Sequence, residues 1–371
     1  MLRYPRVEID TDKLLQNARV ILERCRAEGI EVTAVTKVTC AHPAVVETLT
    51  RAGLTSLGDS RLRNLRRIRK QAPDAELVLL RLPMPSQADE VVCWTDVSLN
   101  SEITTLRALD AAARRAGRTH GIILMVDMGD LREGVWPDEV GAVCTAAREM
   151  SNIKVRGVGT NLACYGGVRP AAENMQGLLD CRKVASETLG HPMEIVSGGN
   201  SANWLLLEAG RMPSEINHLR IGEALFLGNE SVDRTPIWGM ADDVFTVCAE
   251  IIEVRVKPSL PVGELGQDAF GNVPIFEDRG LHRRAIAAVG RQDVAPEGLR
   301  PQMKGVKIIG ASSDHMILDV EDAAGSVEVG DVLRFTVRGY SCLLAVFTSP
   351  YLRHVAVRDG QRGRPRSTVN R

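Results

Sequence analysis

Val32-Thr33-Ala34-Val35-Thr36-Lys37 is an apolar, β-rich run that ends on an ammonium. Short runs of this kind, following an amphipathic helix, read as parallel strands buried on both faces. The preceding helix is carried by Leu14, Leu15, Ala18, Ile21 and Leu22, with Asp10 or Thr11 able to cap its start. Burying an ammonium at the end of such a strand is costly unless it is paired or neutralised. Desolvation lowers a lysine pKa and makes the amine nucleophilic, which is the preparation for a Schiff base. The other reading is a packed stem with its head in water, and the run alone leaves both open. Only 8 of the 46 basic residues are lysine, so a lysine at this place is less incidental.

Outward from this run, strands and helices alternate. Strands are predicted at 32–36, 55–58, 77–80, 96–99, 122–126, 155–159, 194–197 and 218–221, with amphipathic helices at 61–70, 102–116, 139–150 and 171–189. Eight β-then-α units in succession predict an α/β TIM (β/α)8 barrel. A doubly wound sheet also alternates, but no G-x-G-x-x-G follows the first strand. After Pro236 the pattern changes to β-like segments at 244–256, 284–289, 304–309, 316–320, 332–337 and 341–348, punctuated by Gly and Pro. The expected organisation is a barrel domain over 10–235 and a smaller all-β domain over 236–357, with residues 1–9 packing on the latter. Residues 358–371 read as a disordered basic tail.

Composition agrees with a soluble globular protein: 371 residues, 44% hydrophobic, 25% charged, formal net charge −1. Nothing in that balance points to nucleic acid or an anionic membrane, and no run approaches the length needed to span a bilayer. The 8 cysteines are scattered without a C-x-x-C pair or metal-ligand spacing, as expected for reduced thiols of a cytoplasmic protein.

In a TIM barrel the chemistry sits where strands end. Lys37 is such a position, as are Asp127-Met-Gly-Asp-Leu-Arg132-Glu-Gly134, Thr160-Asn161, Ser197-Gly-Gly-Asn200-Ser201 and Arg220-Ile221-Gly222. The small-residue loop 197–201 can surround a phosphate with N–H groups and hydroxyls, or it can be an ordinary loop with a helix cap. Arg220 is either a surface ion pair, with Glu223 as partner, or a ligand contact.

Together these segments resemble the alanine racemase family, the fold-type III pyridoxal-phosphate enzymes. Ile9-Asp10 with Leu14-Leu15-Gln16-Asn17 is similar to the family's N-terminal helix, and Ala34-Val35-Thr36-Lys37 to its A-V-x-K lysine motif. Asp127-x-Gly129-x-x-Arg132-x-Gly134, Asn200-Ser201-Ala202, Arg220-Ile221-Gly222 and Ser312–Asp319 resemble further family motifs in the same order, over almost residues 5 to 357. The resemblance implies pyridoxal 5'-phosphate attached to Lys37, which also exchanges a proton with one face of the substrate. It implies Ser201 and Gly222 on the phosphate, with Tyr340 as a third contact, and Arg220 facing the pyridine nitrogen. A permanently protonated arginine there leaves the ring nitrogen unprotonated, which favours racemisation over transamination. Arg132 would face the substrate carboxylate, and Asp314 the amino acid from a partner subunit of a homodimer.

This chain also departs from the family pattern. The segment that holds the family's second catalytic tyrosine reads Leu265-Gly-Gln-Asp268-Ala-Phe270-Gly271 here, and phenylalanine carries no proton. Asp268, His315 or Tyr165 then supplies the second group, with Asp268 preferred for its position in the segment and a turn carboxylate as its structural alternative. The lysine loop lacks the family tyrosine, and Asn161 stands where alanine racemases place a histidine against the ring. With 288–293 and 313–315, the lysine loop resembles the ornithine racemase branch, whose cationic substrate side chain suits carboxylates such as Asp268, Asp293 or Asp314. The expected activity is therefore pyridoxal-phosphate-dependent racemisation of ornithine or another basic amino acid. Alanine or serine racemisation, a fold-type III lyase or decarboxylase, and a non-catalytic pyridoxal-phosphate carrier are the alternatives.

Overall fold

The computed structural model describes residues 4–358. The described residues form two compact units, one of residues 13–242 and one of residues 4–12 with 243–358. The basic tail expected over 358–371 lies, beyond its first residue, outside the described residues.

The first strand, β1 (Arg6–Asp10), belongs to the second unit. Eight parallel strands then close into a barrel: β2 (Glu31–Val35), β3 (Ser56–Asp59), β4 (Glu76–Leu79), β5 (Val97–Asn100), β6 (His120–Met125), β7 (Ile153–Gly159), β8 (Ile195–Ser197) and β9 (His218–Ile221). Each matches one of the eight strands predicted from sequence. β6 and β9 are buried along their whole length, which is why these runs are apolar or carry polar groups that find partners inside. Helices follow the strands; that over Ala172–Leu189 ends at Gly190, whose φ of 74° is the left-handed conformation a helix stop commonly takes.

The other unit is a mostly antiparallel sheet in the order β12-β15-β10-β11-β14-β13. Its members are β10 (Phe245–Pro258), β11 (Leu281–Ala287), β12 (Leu299–Pro301), β13 (Lys307–Ala311), β14 (Met316–Asp319) and β15 (Val332–Val337). β1 pairs antiparallel with β10 and parallel with β16 (Arg353–Val357). The strand expected from 304 begins only at Lys307, because Gly305 turns the chain at φ 86° against the backbone of Asp322.

The segment 341–348, expected as a strand, is instead the helix Tyr340–Thr348. Cys342, Leu343, Val346 and Phe347 are its buried residues, a spacing of one, three and one that fits one helical face. The unit is therefore β-rich with one docked helix, and Tyr340 sits in that helix's first turn.

Candidate active site at the mouth of the barrel

Lys37 opens a single turn, Lys37–Thr39, directly after β2. The strand end beneath it is tied to its neighbour: Thr36 Oγ1 donates to Asp59 Oδ2 at 2.9 Å, and Asp59 Oδ1 accepts from the Arg61 N–H and Asn64 Nδ2, both at 3.0 Å. The Lys37 side chain presents surface to solvent at the open mouth. The protein around it nevertheless strips enough water to lower its pKa, an effect opposed by Cys164, Asp59 and Glu133 and reinforced by Arg132. This is the electrostatic condition of a nucleophilic lysine.

The loop after β6 is built by its own carboxylates. Asp127 Oδ1 accepts from the Gly129 N–H at 2.8 Å and the Leu131 N–H at 3.2 Å. Asp130, buried, accepts from the N–H groups of Cys164 (3.0 Å), Tyr165 (2.9 Å) and Val168 (3.2 Å), and so holds the loop after β7. Arg132 lies on this scaffold in contact with Glu133. Removing the two oxygens that accept these three hydrogen bonds is costly, so Asp130→Ala is expected to lower stability by roughly 2–3 kcal/mol in chemical denaturation. A loss under about 0.5 kcal/mol would show that solvent replaces these bonds.

At the end of β7 the buried Thr160 Oγ1 and Asn161 Nδ2 have no hydrogen-bond partner in the protein. Unsatisfied buried polar atoms at a strand end mark a place for a ligand or solvent. Asn161 Oδ1 accepts from Asn200 Nδ2 at 3.0 Å, and the same amide nitrogen lies 3.4 Å from Cys164 Sγ. Asn200 Oδ1 accepts from the Ala202 N–H at 2.7 Å, which shapes the turn that presents Ser201. Ser201 Oγ in turn accepts from the Ala224 N–H at 3.2 Å, so the loop after β8 and the start of the helix Glu223–Leu227 meet. A Cβ on Gly222 would come within 3.0 Å of Val35 Cβ and 3.2 Å of Val35 O. Glycine there lets β9 close against the end of β2, two residues before Lys37.

Arg220 is buried, its Nη1 donating to Ser197 Oγ and its Nη2 to the Thr160 carbonyl at 2.7 Å. Burial pushes its pKa down to about 10, with Arg132 acting the same way and Glu133 against, so it remains a cation at neutral pH. Of the two sequence readings, the surface pair with Glu223 does not describe it; Glu223 pairs with Arg234. Glu133 and Cys164, which the sequence did not single out, act electrostatically on both Lys37 and Arg220. Only the strand-end position of Glu133, beside Arg132, could have marked it.

The remaining candidates lie in the β-rich unit. Asp268 Oδ1 accepts from the N–H groups of Phe270 (2.9 Å) and Asn272 (2.8 Å), and these bonds hold its pKa below the usual carboxylate range. Asp314 and His315 pair at 2.7 Å in the turn between β13 and β14. The Gln292 N–H donates to Ser313 O at 2.9 Å, so the segments 288–293 and 313–315 are in contact. Arg291 lies over the Phe270 ring at 5.3 Å from its centroid. Asp293, buried, accepts from Ser349 Oγ at 2.6 Å.

Two buried histidines in the barrel strands give the unit a pH dependence. Burial pushes His218 down to about 3 and His120 to about 4, with Arg220 and Arg156 adding to the first and Arg118 to the second. Their unfolded pKa is near 6.5, so between about 6.5 and 4 the unfolded chain holds more protons than the folded one. Their contribution to stability is therefore complete above that window and lost as pH falls through it. Denaturation near pH 5 is expected to take up about two extra protons from these groups, and the melting temperature to fall from pH 7 to pH 5. A His120→Gln variant with an unchanged slope would contradict this.

Among the described residues no group of three His, Cys, Asp or Glu side chains could hold a metal ion. All eight cysteines are free. No helix among the described residues is long and apolar enough to cross a membrane.

The family model for the alanine racemase N-terminal domain matches residues 9–230. A lysine racemase of Thermotoga maritima is 43% identical over 352 residues, covering 95% of this chain and 98% of the relative. An ornithine racemase of Acetoanaerobium sticklandii is 40% identical over 350 residues, covering 94% and 98%. The alanine racemase of Bartonella henselae, solved with covalently bound pyridoxal phosphate, superposes with a TM-score of 0.74 at 16% identity, covering 96% of this chain and all of that one; at that identity the likeness speaks for the fold.

Proposed function

The chain belongs to the alanine racemase family, and from that premise we propose that it is a pyridoxal-phosphate-dependent racemase of a basic amino acid, ornithine or lysine, acting in the cytoplasm. The observation that carries this reading is identity of 40–43% to an ornithine and a lysine racemase over nearly the whole length of each.

The residues at the barrel mouth fit the cofactor. The mouth offers an amine of lowered pKa, two orphaned buried polar atoms, a serine loop meeting a helix start, and a buried guanidinium. Bound there, pyridoxal phosphate supplies an electron-withdrawing ring that acidifies the substrate's Cα proton. Lys37 attaches it and moves a proton at Cα on one face. Ser201 and the Gly222 backbone would hold its phosphate, and Asn161 would face its ring. Arg220 would face the ring nitrogen as a donor that keeps its proton. Arg132 binds the substrate carboxylate, with its partner Glu133 keeping the guanidinium in place.

Asp314 and His315 remain the proposed contacts to the rest of the substrate, in a homodimer. For Asp268 the turn bonds favour the structural role: a carboxylate with lowered pKa is a weak base, and its proposed part is to shape the loop around Phe270.

The test is proton exchange at Cα. Protein with pyridoxal phosphate is incubated in heavy water with a panel of L-amino acids, followed by chiral chromatography and mass analysis. Deuterated D-ornithine or D-lysine is the expected product. Deuterated D-alanine or D-serine would keep the mechanism and remove the basic substrate. A panel without exchange would remove the racemase and leave a lyase, a decarboxylase or a carrier.

A further inference from the structure

Barrel interiors are usually filled by branched apolar side chains. Below Arg220 this one instead carries a row of polar groups joined end to end. Arg220 Nη1 donates to Ser197 Oγ, and Ser197 Oγ lies 2.7 Å from His218 Nδ1. His218 Nε2 lies 2.8 Å from Thr33 Oγ1, and Thr33 Oγ1 lies 2.7 Å from Ser56 Oγ. Ser56 Oγ donates to Glu76 Oε2 at 3.4 Å. Strand register sets the members side by side: Ser197 opposite His218 on β8 and β9, Thr33 opposite Ser56 on β2 and β3, Ser56 opposite Glu76 on β3 and β4. Glu76 is paired with Arg156, which also reaches Glu194 at 3.3 Å.

The direction of every proton in this row follows from its carboxylate end. An ionised carboxylate only accepts, so the Ser56 hydroxyl proton points to Glu76 and Ser56 accepts from Thr33. The Thr33 proton is then committed to Ser56, and Thr33 accepts from His218, which must carry its proton on Nε2. At the other end a guanidinium only donates, so Ser197 accepts from Arg220; with the imidazole proton on Nε2, His218 Nδ1 is bare and takes the Ser197 hydroxyl proton. The carboxylate end thus sets the neutral tautomer, and the guanidinium end accommodates it. Burial, with Arg220 and Arg156 as the charges acting on the imidazole, also keeps it neutral.

We propose that His218 is a positioning residue: neutral and protonated at Nε2, it locks Ser197 and thereby holds the Arg220 guanidinium in one orientation for an acceptor at the mouth. Buried polar rows are tolerated when every member is satisfied, and they then specify one arrangement where an apolar filling would not. What Arg220 holds rests on the cofactor reading given above; the tautomer of His218 does not.

Two measurements on the full chain test this. In 15N spectra of histidine-labelled protein, His218 is expected to show a protonated Nε2 and a bare, hydrogen-bonded Nδ1, unchanged from pH 5.5 to 9. A protonated Nδ1, or titration within that range, overturns the proposal. The second measurement is the affinity for pyridoxal phosphate, read by absorbance titration and independent of turnover. His218→Leu is expected to weaken binding about tenfold and shift the bound cofactor's absorption. His218→Gln, whose amide can donate to Thr33 and accept from Ser197, is expected to stay within about threefold of the parent. Thr33→Val, nearly the same in shape, breaks the row outside His218 and is expected to cost about fivefold, which covers the case of a leucine variant that does not fold. Leucine and valine variants that bind as the parent does, or a glutamine variant no better than leucine, would reduce His218 to filling space. If the parent itself bound no pyridoxal phosphate, the cofactor reading would fail, and the 15N spectrum would still decide the row.

Discussion

Lys37→Ala is expected to remove racemisation by a factor of roughly 10⁴ or more, and with it the covalent hold on pyridoxal phosphate. On the proposed function two roles are lost in one substitution, because the same amine would attach the cofactor and carry a proton at Cα. Stability should not follow activity down. The Lys37 ammonium is disfavoured by its surroundings, and its side chain stands at an open mouth, so alanine removes an unfavourable charge and leaves the strand end to Thr36 and Asp59. The variant should melt within a few degrees of the parent, with the visible absorption of the bound cofactor gone. Residual turnover above one part in a hundred, or an unchanged spectrum, would take Lys37 out of the chemistry.

Arg220→Glu is expected to change the reaction as well as its rate. With position 220 facing the ring nitrogen as proposed, a carboxylate there would let that nitrogen take a proton and draw more negative charge away from Cα, which favours transamination as a side reaction. Racemisation should fall by about 10²–10³, the scale seen when one well-placed donor is removed from a reacting centre. Part of that loss is structural. Glutamate cannot donate to both Ser197 Oγ and the Thr160 carbonyl, and a carboxylate facing a carbonyl is repelled. Arg220→Lys separates the two contributions: it keeps the charge, loses the forked geometry, and should slow racemisation without raising transamination. The 2-oxo acid of the substrate appearing equally in both variants would remove the electronic argument.

The eight barrel strands could be read from sequence because strands buried on both faces, such as β6 with Gly121-Ile122-Ile123-Leu124-Met125, need almost no polar residues. Lys37, Arg132, Ser201 and Arg220 could be picked out as candidates because each lies at or beyond the end of a barrel strand: Lys37 two residues after β2, Ser201 four after β8, Arg132 seven after β6, and Arg220 in the last half of β9 itself. The helix Tyr340–Thr348 was not, since Ser-Cys-Leu-Leu-Ala-Val-Phe is apolar enough to fit either period and too short to choose. β12 and β16 are short strands whose partners, not their composition, make them strands. The polar row through His218 was invisible for a different reason: Thr33 and His218 are 185 positions apart, and only barrel closure brings them together. Asp130 was hidden between motif residues that drew attention first, though it holds three N–H groups of another loop.

β1 ties the start of the chain to strands near its end: Arg6 is in register with Cys248 and with Arg353. During synthesis, at roughly 5–20 residues per second, that first strand leaves the ribosome some tens of seconds before either partner exists. The barrel, whose strands each pair mainly with neighbours a short way along the chain, can close in that interval. The sheet unit cannot be completed until β16 is made. The barrel is in effect an insertion in the loop of a β-sheet, and the waiting segment around Arg6, Val7, Glu8 and Ile9 stays short and charged, as an edge that must remain unpaired without aggregating should be.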